Sequence, residues 1–390
     1  MKLFKIEVFK ILNSKKYIVF CISLIVILTC SIVGIYKETK TELPKVKIEN
    51  NNKLLIDYRA KSKDNTLSKD IKDDYEKKVK IVEKENIELK KEIENPNYNW
   101  KIKLKNNNKD LEESIESSKV SLDYNQMEED NGGLKVNKYL LKNNIELRKK
   151  YEVYGFLDMK DIISSINVIV LPILIVILGY DLISGEIQNS TIKYLASKPI
   201  KRENIIICKF FALIFVSFIS VFLMEFISFI ILGVVFEFGN PMYPMIVGTK
   251  YHVDKLDKIS AITNTSYMIP IYKYIFKSIA FQFITILPVA SLTLLVSEES
   301  CNNSISLIIS GLITMVLGTI TFVIPVSFLK KVYPFLFTTY SDGTKILDGI
   351  INLNLETTSI NMKLGIIICL IWASFTFFIS CRRFKKRDII

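Results

Sequence analysis

The sequence predicts an all-α integral membrane protein. It has six transmembrane helices, an N-terminal amphipathic interfacial helix and a helical, coiled-coil extracytoplasmic insertion. Three observations predict this. Apolar residues collect in six runs, at 17–36, 162–180, 210–236, 278–297, 304–329 and 364–381, each close to or above the ~20 residues that cover a bilayer's hydrocarbon core. The chain is 49% hydrophobic and 24% charged, and the two kinds of residue are segregated along it, which separates a membrane part from a polar part. Within the one long polar segment, apolar residues recur at alternating steps of four and three, the signature of a coiled-coil seam. Three regions follow: 1–36, 37–161 and 162–390.

Residues 1–16, MKLFKIEVFKILNSKK, place Met1, Phe4, Val8, Ile11 and Leu12 on one helical stripe and Lys2, Lys5 and Lys10 elsewhere. Such a helix lies in the membrane interface. The run 17–36 is longer than the ~7–15 residues of a signal-peptide core, and no small-residue cleavage site ends it. It reads as a retained first span.

Residues 37–161 interleave acids and bases. Tyr75, Val79, Val82, Asn86, Leu89 and Ile93 form one seam, which Asn95-Pro96-Asn97 ends. Leu111, Ile115, Ser118 and Leu122 form a weaker second one. Asn131-Gly132-Gly133 reads as a turn, and residues 140–154 as a third helix leading into the membrane. A helical hairpin or small bundle is expected; the alternative is a partly disordered charged spacer.

Five further spans follow. Pro172 predicts a kink in 162–180. The loop 237–277, with Pro241 and Pro244, is expected to be partly ordered. Span 278–297 contains Pro288, and 298–303 is a tight turn before 304–329. In the loop 330–363, Phe335, Phe337 and Tyr340 beside Pro334 suit either a membrane-embedded hairpin or an interfacial aromatic belt. After 364–381 the chain closes on Arg382-Arg383-Phe384-Lys385-Lys386-Arg387.

Six spans put both termini on one side. The segments of that side hold 15 Lys or Arg in 60 residues, against 9 in 75 for the short loops opposite. This bias places both termini in the cytoplasm of a multi-pass cell-membrane protein. The net charge of +12 suits anionic lipid headgroups flanking the spans rather than nucleic acid. Cys21, Cys30, Cys208, Cys301, Cys369 and Cys381 all lie within or beside apolar runs, so the insertion has no disulfide framework. The one histidine, His252, excludes a multi-histidine metal site, and no catalytic or metal residues are assigned. The 14 glycines form no G-x-x-x-x-G-K-[ST] loop for ATP phosphates.

The polar loop 181–209, DLISGEIQNSTIKYLASKPIKRENIIICK, lies between the second and third runs. Two of its acids, Asp181 and Glu186, come early and its bases late. Residues 191–196 read as a short helix that Ser190 or Asn189 could cap and Lys198-Pro199 stops. The blocks Ser184-Gly185-Glu186, Ser190-Thr191-Ile192-Lys193-Tyr194-Leu195 and Ser197-Lys198-Pro199-Ile200-Lys201-Arg202 resemble the cytoplasmic loop of type-2 ABC exporter permeases. Ser190 stands where that pattern has Gly, and Ala196 where it has Leu. The N-terminal helix and the six spans agree with the family; the insertion 37–161 is large compared with compact members.

The resemblance implies a permease subunit of an ABC exporter, not itself an enzyme and without a cofactor. ATP would be bound by a separate ABC ATPase subunit, and a second permease subunit, identical or related, would complete the path. A coupling helix at 187–197 would dock on the ATPase through Glu186, Thr191, Ile192, Lys193, Leu195, Lys198, Pro199 and Arg202. By family analogy the cargo would be a peptide, an antibiotic or a lipid. From the residues themselves, Glu225 is the one acid deep in a span. It either lines a substrate path or makes a structural hydrogen bond to Gln282 or Asn167. The rival function is a membrane-anchored receptor or scaffold whose coiled coil binds a partner without transport; co-purification with an ATPase separates the two.

Overall fold

The computed structural model describes residues 2–63, 68–94, 100–196, 201–254, 258–322 and 329–387. It is mainly helical, and six of its helices are long and apolar enough to cross a membrane: Lys15–Thr41, Val170–Gln188, Arg202–Val235, Ile271–Glu299, Asn303–Thr321 and Met362–Lys386.

Helix α1, Lys2–Leu12, buries Ile11 and packs Phe4 and Val8 partly against the core, as the stripe requires. Leu12 stays exposed. Ser14 caps α2, Lys15–Thr41, by accepting from the Tyr17 amide. Helix α2 buries only Phe20, Leu24 and Leu28 of its apolar span, one narrow stripe four residues apart. The rest of its apolar surface faces outward, where lipid is the natural solvent.

The insertion is two helical hairpins. Helix α3, Pro44–Lys63, lies along α4, Lys69–Glu94; α5, Trp100–Ser121, lies along α6, Tyr124–Asn143. The seam of α4 meets α3 at Tyr75, whose ring lies 5.8 Å from that of Tyr58, and at Asn86, while Ile93 at its end is exposed. At its centre Asn86 accepts from Asn51 Nδ2 (3.0 Å) and donates to Asn52 Oδ1 (3.2 Å). A buried Asn pair in a seam fixes register, because any slip would leave its amides unbonded. In the second hairpin Ile115 and Ser118 are buried, whereas Leu122 is exposed in the left-handed region.

Two expectations here are corrected. Asn131-Gly132-Gly133 is not a turn; it lies within α6. A Cβ on Gly133 would sit 3.3 Å from Leu111 of α5, so this glycine lets two helices approach closely. Residues 140–154 do not form a third helix of their own. Helix α6 ends at Asn143, closed by Asn144 in the left-handed conformation. The following segment is held instead by Arg148, whose guanidinium donates to the Glu152 carbonyl and to Asp158 Oδ1 (2.6 Å). The turn read at 95–97 lies outside the described residues.

The second apolar run is two helices, α7, Gly155–Asn167, and α8, Val170–Gly179, broken at 168–169. Pro172 does not kink a continuous helix. It is the third residue of α8, where a missing N–H costs no intrahelical bond. The motif loop carries α9, Ser184–Gln188, and α10, Ile192–Ala196, and α11 runs Arg202–Val235.

The loop expected to be partly ordered carries four strands: β1, Pro244–Val247; β2, Tyr251–Val253; β3, Ile259–Ala261; β4, Tyr267–Pro270. β1 pairs antiparallel with β4, Pro244 opposite Pro270, and β2 with β3, His252 opposite Ser260. These ribbons meet α6, so the insertion rests on the loop that leads into the next span.

Helix α12, Ile271–Glu299, is central and packs most extensively against α16, Met362–Lys386. Helix α13, Asn303–Phe322, follows, then α14, Gly343–Asp348, and α15, Ile350–Asn354. Between α13 and α14 two 3-10 turns, Tyr333–Phe335 and Phe337–Tyr340, fold against α13 and α16. Phe337 and Tyr340 are buried, Phe337 edge-on to Trp372, and only Phe335 is exposed. The aromatic-belt alternative therefore fails for two of the three rings.

Candidate functional site

The motif loop is built into a charged cluster at one end of the bundle. Lys209, on the inner face of α11, donates to Glu7 Oε2 (2.9 Å) and to Glu186 Oε1 (2.7 Å). Lys10, one turn along α1 from Glu7, reaches Glu186 at 2.9 Å and Glu7 at 3.2 Å. Glu7 is 1% exposed and Lys209 2%. Two carboxylates and two ammonium groups thus alternate, with Glu7 and Lys209 shut off from water and Lys10 at the cluster's wet edge. Burial alone would pull the Lys10 ammonium down, but Glu186 and Glu7 outweigh it and hold its pKa above the usual lysine value. Lys16, at the start of α2, pairs with Asp181 and donates to the Leu178 carbonyl (2.6 Å).

The loop's other side is fixed by neutral hydrogen bonds. The amides of Ile183 and Ser184 both donate to Ser297 Oγ (3.1 Å each). Ser184 Oγ donates to Asn303 Oδ1 (2.8 Å), and the Asn303 amide donates to Gln188 Oε1 (3.2 Å). The α9 segment is therefore clamped between α1 and α11 on one flank and the α12–α13 turn on the other. The chain's end closes the same face. Arg202 donates to the Arg387 carbonyl (2.8 Å), Lys385 pairs with Glu203 (2.8 Å), and Arg383 with Glu299. Both terminal segments and the motif loop share one end of the bundle.

The residues expected to couple are distributed unevenly. A continuous helix over 187–197 is not formed. Ser190 sits in the left-handed region, and Asn189 closes α9 rather than capping α10. Glu186 belongs to the charged cluster. Thr191 and Lys193 are exposed, and Tyr194 is 75% exposed. Ile192, assigned to an outward docking face, is 5% exposed and packs into the chain's own core. A branched aliphatic side chain in that position holds the segment down, so it cannot also fill a groove on a partner. Arg202 is committed to the C-terminal carbonyls. Lys198, Pro199 and the side chain of Leu195 lie outside the described residues. Sequence reasoning missed Glu7, Lys10, Lys209, Ser184, Ser297 and Asn303. One signal was available: Glu7 is the single acid of a basic amphipathic segment.

Near the opposite end, Gln282 Nε2 donates to both Asn167 Oδ1 (2.7 Å) and Glu225 Oε1 (2.8 Å). These three polar residues, from α12, α7 and α11, do meet. All are buried. No cluster of three or more metal-binding side chains occurs among the described residues, and the six cysteines are unpaired.

A family model described as ABC-2 family transporter protein matches residues 1–389. No curated protein matches the chain.

Proposed function

The chain belongs to the ABC-2 transporter family, whose members are membrane permeases of ABC transporters, and on that premise we propose that it forms the translocation path of an exporter and receives the stroke of a separate ATPase through residues 181–209. A permease subunit is not itself catalytic. The observation that carries this reading is the clamping of the motif loop: Glu186 and Ser184 tie it to α1, α11 and the α12–α13 turn at once. A displacement of α10 is then passed to three spans as one body, because breaking any of these buried contacts costs more than moving them together. ATP-driven closure of the ATPases would push α10, tilt the spans and switch access. Two permease chains would line the path, with lipid or the second chain covering the outward apolar face of α2. The cargo would be a peptide, an antibiotic or a lipid.

The docking contact would lie on the outward side of α10. A large ring presented to water offers an aromatic of the kind that dominates binding energy at interfaces, and Tyr194 is that ring, with Lys193 beside it. Tyr194→Asp is expected to abolish recovery of the ATPase with the permease in a pull-down and to stop cargo-dependent ATP turnover, with the permease still inserted. Ile192→Asp is expected to lower the yield of the permease itself, since the change buries a carboxylate. Lys193→Ala is expected to cost about 0–1 kcal/mol, as rim charges do. Full ATPase binding by Tyr194→Asp would overturn the docking assignment, and absence of any ATPase from the wild-type complex would favour the receptor reading.

Orientation is tested separately. With both termini cytoplasmic, the exposed Ser117 on α5 faces outward. A cysteine placed there is expected to react with an impermeant thiol reagent on intact cells, and labelling only after lysis would invert the topology.

A further inference from the structure

A cavity of about 190 Å³ opens between α7, α11 and α12 beside Glu225. Five rings line it: Phe156, Phe222, Phe226, Phe229 and Tyr272. Phe222, Phe226 and Tyr272 are exposed, so the cavity opens sideways on the bundle's outer surface. Its floor is Glu225, which is 1% exposed. Gln282 satisfies one carboxylate oxygen, and the other, Oε2, is buried without a hydrogen-bond partner. Among the described residues, no Lys, Arg or His forms an ion pair with it.

These features belong to one chemistry. A carboxylate in a low-dielectric site calls for an opposite charge. Ring faces attract a desolvated ammonium ion, and an aromatic cage around an acid recognises organic cations rather than metal ions. The volume falls below the ~300 Å³ at which drug-sized pockets begin, so it takes a compact head group whose apolar body can extend towards the bilayer. We propose that this cavity binds a hydrophobic organic cation, its ammonium head between the rings and Glu225, entering from the membrane side. That such a cation is cargo rests on the permease reading; that it binds does not.

The test uses the full chain in phosphatidylcholine nanodiscs, without an ATPase, and equilibrium dialysis of benzyltrimethylammonium. The neutral benzyl alcohol and the anionic benzenesulfonate are the comparison probes. Saturable binding of the cation at one per chain is expected, with benzyl alcohol at least tenfold weaker and benzenesulfonate unbound. Glu225→Gln is expected to weaken the cation at least tenfold and leave benzyl alcohol unchanged. Tyr272→Ala, at the mouth and outside the Gln282 network, is expected to weaken it several-fold, and it decides the matter if Glu225→Gln does not fold. Equal binding of cation and alcohol would mark an apolar slot only. That result, cation binding indifferent to both substitutions, or no saturable binding would overturn the proposal. Each leaves ATPase docking at Tyr194 untouched, so the two readings fail separately.

Discussion

Replacing Lys209 by Met is expected to release α1 from the bundle and to cost about 3–5 kcal/mol, the usual penalty for removing one partner of a buried ion pair. Lys209 is the shared cation of Glu7 and Glu186, at 2.9 and 2.7 Å. Met preserves the apolar stem and removes only the charge, so the loss reports the electrostatics rather than a cavity. Lys10 still reaches both carboxylates, but its side chain is half in water and cannot enter the site that Lys209 leaves. Glu7 must then be protonated or drawn out, and α1 goes with it. The check is twofold: the melting temperature of the detergent-solubilised chain, and proteolysis near the N-terminus. Adding Glu7→Gln to Lys209→Met is expected to restore part of the loss, because one uncompensated charge is removed. A Lys209→Met chain that melts like the wild type would show that the cluster holds nothing together. Under the proposed coupling role of residues 181–209, the same change is expected to weaken transmission to the spans even where the chain stays folded, since Glu186 would no longer tie the motif loop to α11.

What could be read in the sequence follows from the range of the interactions. The spans were legible because burial in lipid demands an uninterrupted apolar run, and each of the six runs overlaps one of the long helices. Their ends were less legible. Helix α2 continues to Thr41 and α12 begins at Ile271, since a helix that leaves the membrane keeps its hydrogen bonds while its hydropathy drops. The seam of α4 was visible as a pattern, but its partner α3 was not. Helix α3 is polar, and its key residues, Asn51 and Asn52, give no periodic signal. Gly132-Gly133 misled because glycine serves turns and close helix packing alike. In the candidate site, Glu186 was visible through a local block of residues. Its cation Lys209 and its neighbour Glu7 are far apart in the chain, and no local pattern joins them. The fate of Ile192 was decided by packing: an apolar residue at an apparently outward position of a short helix can as well face its own core.

Replacing Glu128 by Ala is expected to loosen the attachment of the helical insertion to the strand-bearing loop, at a comparable cost of several kcal/mol. Glu128 lies on α6 and is 3% exposed. It accepts from the Asn264 amide (2.6 Å), the Ser266 amide (3.0 Å) and Ser266 Oγ (2.6 Å). Hydrogen bonds to a charged acceptor contribute about 1.5–3 kcal/mol each and are not additive when they share a group. Truncation loses three at once and strands two backbone amides, which water must then reach. Lys135 moderates the loss, because it holds the Ser266 carbonyl at 3.0 Å. Asn125 binds the neighbouring strand independently, donating to the Ile259 carbonyl and accepting from the Ala261 amide (2.7 Å). The attachment is therefore expected to loosen rather than vanish, and Asn125→Ala combined with Glu128→Ala to complete the release. Hydrogen exchange is the direct measurement: the amides of 259–270 should exchange faster in Glu128→Ala and fastest in the double variant, while those of α12 beyond Tyr274 stay protected. Unchanged exchange across 259–270 would mean that the ribbons are held by the membrane bundle alone. In that case the insertion could move without informing α12, and any path from it to the spans would have to run through its chain connections at 42–43 and 144–154 instead.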